Sequence, residues 1–81
     1  MIQGWFSKPV EVAVGVTGSI RHISNAQQAI ELLTGQWRDA GSPLHSAAVR
    51  TCRRAISGDV PADNARDAFV SAARAAHLLV E

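Results

Sequence analysis

Pro43 and Pro61 constrain this chain more than any other residues, because proline disrupts a helix interior yet is well suited to a helix's first turn. Ser42 stands directly before Pro43 and offers a capping hydroxyl, so a helix is expected to open there. Gly58 closes it, most simply as a left-handed cap residue. Another helix then begins around Pro61. Asp59 is the better cap chemically, and Asp63 lies where a helix N-terminus favours an acid. Upstream, Ser24 followed by Gln27 is a capping-box pattern that opens the first of three helices.

Each helix carries an apolar stripe of helical period. In the first it is Ala26, Ala29, Ile30, Leu33 and Trp37, although Gly35 leaves open whether the helix stops there or runs on to Trp37. The inner side of the second is Leu44, Ala47, Ala48, Thr51, Cys52, Ala55 and Ile56, with Arg50, Arg53 and Arg54 on its outer or flanking surface. The third buries Ala62, Ala65, Phe69, Ala72, Ala73 and Ala76, with Leu78 and Leu79 closing the stripe. Most of these are alanines, so the helices approach closely and Phe69 is the main bulky residue.

Ahead of the helices, Val10, Val12 and Val14 alternate with Glu11 and Ala13, as in a strand with one buried face. The stretch from Gly15 to Ser19 reads as a turn, and strand character resumes from Ile20 to Ile23. The buried face of that second strand is left open. Pro9 fits the beginning of an edge strand, and Trp5 and Phe6 are expected to pack on the domain. The expected fold is α+β: an N-terminal β-hairpin packed with three helices, order β-β-α-α-α, in one small domain spanning 1–81.

Composition narrows the chemistry. Cys52 is the single cysteine, which rules out an intrachain disulfide and a thiol cluster for zinc. With no signal-peptide pattern, this favours the cytoplasm, and no apolar run is long enough to span a membrane. Eight basic and seven acidic residues are too balanced to imply nucleic acid or an anionic membrane. No cofactor or metal is expected. The Gly15-Val16-Thr17-Gly18-Ser19 run precedes a strand and lacks a phosphate-loop ending, while His22, His45 and His77 share no ligand spacing.

The candidate binding group is Trp37, Arg38, His45, Arg50, Arg53 and Arg54. Arg50 and Arg54 are four apart and share a helical face. No acidic residue lies between Ser42 and Gly58, so an anionic ligand or an acidic partner could dock there. The bland alternative is solvated arginines balanced by Asp63, Asp67 or Glu31. His45 could serve acid–base chemistry but fits a structural role near a helix start better. Cys52, among alanines and Ile56, reads as an inert buried thiol.

Several segments together resemble a family. They are Phe6 and Pro9-Val10, the Ala29–Trp37 helix, Gly41 followed by His45, and Ala48 with Cys52. Ala55-Ile56-x-Gly58, Pro61 and Ala65-Arg66-x-Ala68-Phe69-x-x-Ala72-Ala73 complete the series. The pattern resembles DUF982, a family of short bacterial proteins of unknown function found mainly in rhizobia and other alphaproteobacteria. The resemblance implies a hairpin packed with helices and no known cofactor. It draws attention to Trp37, Gly41, His45, Cys52 and Arg66, the last expected to form a structural ion pair from the third helix to the second rather than to point at a ligand.

The leading functional expectation is a non-enzymatic protein-interaction or regulatory module. It would self-associate as a homodimer through the open edges of a two-stranded hairpin, or take an acidic protein partner. The alternative is a small-anion-binding protein or minor enzyme using His45, Arg50 and Arg53 in a pocket walled by Trp37. Nucleic-acid binding ranks third.

Overall fold

The computed structural model describes residues 4–14, 18–35, 37 and 41–80. Strand β1 (Trp5–Val14) and strand β2 (Ser19–Asn25) pair antiparallel, followed by α1 (Ala26–Gly35), α2 (Pro43–Ser57) and α3 (Ala62–Ala75). The order is β-β-α-α-α, as the sequence led us to expect. The Gly15-to-Thr17 part of the hairpin turn lies outside the described residues.

The register fixes the faces. Val10 opposes Ile23, Val12 opposes Arg21 and Val14 opposes Ser19. Val10, Val12, Val14 and Ile23 are buried towards the helices. The other face carries Glu11, Ala13, Ile20 and His22, and His22 Nε2 stands 3.6 Å from Glu11 Oε1. Ile23 is therefore the inward residue of β2, and Ile20 is half exposed.

β1 begins earlier than its valine alternation suggests, so Pro9 lies inside the strand rather than at its start. The pairing slips between Trp5 and Val10, and Pro9, which has no N–H to donate, falls within the slip. α3 satisfies backbone groups of this irregular stretch. Ser7 N–H donates to Asp63 Oδ1 at 2.9 Å, and Arg66 Nε donates to the Lys8 carbonyl at 3.0 Å. Arg66 thus ties α3 to β1 by a hydrogen bond, not to α2 by an ion pair. The Ser7 hydrogen bond holds the Asp63 carboxyl below its ordinary value, with nearby Arg66 adding a smaller pull. A lowered carboxyl pKa contributes stability above the unfolded-state value that is lost as pH falls through the folded-state one. This clasp therefore weakens in acid.

The first helix is capped one residue later than expected. Gln28 N–H donates to Asn25 Oδ1 at 2.8 Å, so Asn25, not Ser24, is the cap. Gln28 Oε1 reaches back to accept from Ser24 N–H at 2.8 Å, a reciprocal arrangement shifted along the chain. α1 stops at Gly35, which leaves Trp37 beyond it, and Leu32 joins Ala26, Ala29 and Leu33 in the buried set. Ser42 caps α2 with Pro43 at the first position, and Gly58 closes it in the left-handed region at φ 84°. α3 starts after Pro61 without a side-chain cap, so Asp59 does not take that role. Asp59 N–H instead donates to the Arg54 carbonyl at 2.9 Å and completes the C-terminal motif of α2.

The core is small-residue packing around a few large side chains. Phe69, Ile23, Leu33, Val12 and Cys52 are its largest fully buried members, with alanines from all three helices between them. α2 gives the interior only Ala48, Cys52 and Ala55. Leu44 and Ile56, expected inward, are 44% and 38% exposed, and Ala47 is exposed as well. Phe6 is buried, but Trp5 is 52% exposed.

The chain then returns to the sheet. Leu79 bridges to Val12, Ala13 N–H donates to the Leu78 carbonyl at 2.7 Å, and Val80 N–H donates to the Glu11 carbonyl at 3.1 Å. β1 is therefore flanked on both sides, so the hairpin expected to have two open edges keeps only that of β2 among the described residues. The turn into this segment places His77 at φ 59°, with Leu78 N–H donating to the Ala73 carbonyl at 2.8 Å. This is a Schellman-type ending in which a non-glycine residue holds the left-handed position. His77→Gly should stabilise the fold by up to about 1 kcal/mol, because relief of left-handed strain exceeds glycine's added unfolded-state freedom. Chemical denaturation checks it, and an unchanged or lower midpoint would refute the strain argument.

Candidate functional site

The start of α2 is fixed by hydrogen bonds that begin at its cap. Ser42 Oγ accepts from His45 N–H at 3.1 Å, and the Ser42 carbonyl accepts from Ser46 N–H at 2.9 Å. The His45 ring then links two segments. Nε2 lies 2.6 Å from the Leu33 carbonyl, and Nδ1 accepts from Gly41 N–H at 3.3 Å. A carbonyl only accepts and an N–H only donates, so the proton belongs on Nε2. Both ring nitrogens are therefore engaged in joining the end of α1 to the start of α2.

Behind His45 lies Trp37, which is buried. Its ring centroid stands 6.2 Å from that of His45 and 5.6 Å from that of Phe69. Trp37 thus connects the helix junction to the centre of the core. Its Nε1 is buried without a hydrogen-bond partner among the described residues.

On the outer side of α2, Thr34, His45, Ser46, Val49, Arg50, Arg53 and Arg54 line an open groove of about 430 Å³. Of the expected group, the structure brings His45, Arg50, Arg53 and Arg54 together. Trp37 does not wall this groove, and Arg38 lies outside the described residues. Ser46 and Val49 are additions: Ser46 lies four residues before Arg50 and Val49 four before Arg53, the spacing of neighbours on one helical face. That spacing was the available signal. Thr34 comes from α1 and could not be placed from sequence. Among the described residues, no carboxylate lines the groove. The three arginines are exposed and make no ion pair among the described residues, so Asp63, Asp67 and Glu31 do not balance them by direct contact.

Cys52 is fully buried, and burial pushes its thiol up to about 12. The thiolate is the reactive form, so the native thiol should resist alkylation at pH 8 and label rapidly in denaturant. Mass spectrometry after iodoacetamide treatment measures this, and fast native labelling would contradict the burial. Among the described residues, no three of the histidine, cysteine or carboxylate side chains gather where a metal ion could be held. No helix among them is long and apolar enough to cross a membrane.

Fold and groove together define a small α+β domain that presents one basic helix face over an alanine-rich core. The chain belongs to the DUF982 family, described as proteins of unknown function, which it matches over residues 8–80. It is also similar to the NMR structure of Agrobacterium tumefaciens protein Atu1219. The identity is 36% and the TM-score 0.79, over 96% of this chain and 77% of that one. No curated protein matches the sequence.

Proposed function

We propose that this chain is a non-enzymatic binding module that engages an anionic partner through the outer side of α2. One observation carries the reading: Arg50, Arg53 and Arg54 line a single groove with no carboxylate among the described residues of its lining. Unpaired guanidinium groups on one surface favour approach of negative charge and offer forked donors to it. The engagement of both His45 ring nitrogens weighs against giving that residue a chemical step. The lone buried cysteine suits a reducing cytoplasm.

The test is an NMR titration of the whole chain at low salt with polyglutamate and, separately, with oligothymidylate. Amide shifts centred on residues 49–54, lost in an Arg50→Glu/Arg53→Glu variant, are the expected result. Silence of α2 towards both probes would sink the reading.

Self-association is a second reading, favoured by the β2 edge, which no other strand covers among the described residues, and by half-exposed Ile20. Light scattering after size exclusion tests it, and a monomer mass at all concentrations would remove it.

A further inference from the structure

The arginine groove continues into an apolar strip. Val49, half-buried in the groove, and Ile56, 38% exposed, are seven residues apart and so lie on one stripe, about 10 Å apart along α2. Beyond Ile56 the strip reaches the entry to β1. Ile56 Cγ1 lies 3.7 Å from where a Cβ on Gly4 would stand, and the neighbouring Trp5 is 52% exposed. Gly4, Trp5, Val60, Pro61 and Ala62, together with the carboxylate-bearing Asp59, line a second hollow there, also of about 430 Å³, so the apolar seat at this end is Trp5 and Ile56 rather than the whole hollow. Round the helix from this strip, on its outer side, come Arg53, Arg50 and Arg54. The surface is amphipathic, apolar along one shoulder and basic along the next.

We infer that its occupant is an acidic amphipathic helix of a partner protein, with apolar side chains on Val49, Ile56 and Trp5 and carboxylates against Arg50, Arg53 and Arg54. The inference rests on the anion-binding reading and names its partner. Charge complementarity sets the sign of the partner, and the apolar strip sets its form, since an amphipathic helix projects anchors at matching intervals. A free phosphate is a poorer fit. The His45 and Ser46 backbone N–H groups already bond Ser42, and both His45 ring nitrogens are engaged, which leaves the Ser46 hydroxyl and the long arginine side chains. A nucleic acid would find no Phe, Tyr or Trp ring among the described residues of the arginine groove on which to stack a base, only the His45 imidazole already held by its two hydrogen bonds.

The test uses the whole chain and a fluorescent peptide of glutamate and leucine with leucines in helical register. Controls are a scrambled peptide of the same composition, oligothymidylate, inorganic phosphate and phosphatidylglycerol vesicles. Variants are Arg50→Glu/Arg53→Glu, Ile56→Asp and the milder Ile56→Ser, each first shown to melt like the parent. The patterned peptide should bind, and each of the charge-reversal and Ile56→Asp variants should weaken it about tenfold or more, as truncation at interface anchors does. Ile56→Ser should fall between. Equal binding of the scrambled peptide, or indifference to both Ile56 changes, would overturn the helical partner while leaving anion binding in place. Oligothymidylate, phosphate or vesicles binding in place of the peptide would have the same consequence. If no probe perturbs α2, the anion-binding reading falls with it.

Discussion

Phe69→Ala should lower stability by about 3–5 kcal/mol, the range for emptying a buried phenylalanine site. Phe69 is fully buried, the largest such side chain in the core, and its ring stands against Trp37 at 5.6 Å. Its helical neighbours in the core are alanines, which cannot extend into the space left behind. A domain of this length has total stability on the order of 4–12 kcal/mol, so this one change removes a large part of it. The thermal midpoint should fall by about 4–8 °C per kcal/mol, or the chain should not fold at all. Phe69→Leu, which keeps most of the volume, should cost far less. A midpoint for the alanine variant within a few degrees of the parent would place Phe69 outside the core.

Removing residues 78–81 should cost about 3–6 kcal/mol, from the burial of Leu78 and the two backbone hydrogen bonds to β1. A second effect follows from the same deletion. The β1 edge exposed by it carries unpaired N–H and C=O groups beside buried valines, a template for pairing with another chain. The truncated chain should therefore be less stable and also prone to associate, as denaturant titration and light scattering would reveal. A stable monomer would mean that the returning segment contributes little.

The element order was legible because its signals are local. Ser42-Pro43, Gly58 and the valine alternation each act over a few residues. Errors arose where neighbours compete over one position. Asn25 rather than Ser24 caps α1, since the strand continues as far as Asn25. Leu44 and Ile56 lie exposed at the two ends of α2, where helical period alone does not tell whether a neighbour extends far enough to cover them. The basic face of α2 was readable from the absence of acids between Ser42 and Gly58. Its closure into a groove was not, because Thr34 arrives from another helix. Nor could the roles of Asp63 and Arg66 be read, since each bonds a backbone group more than fifty residues away.

The central position of β1 also bears on how the chain acquires its structure during synthesis. One neighbour, β2, is made directly after β1, whereas residues 78–80 are made only after all three helices. While the nascent chain lengthens, one side of β1 has no native partner. Such distant pairings are slow to form, so the sheet should be the last part of the molecule to close. A ribosome-bound chain stalled before residue 78 should accordingly be more sensitive to protease near β1 than the released protein.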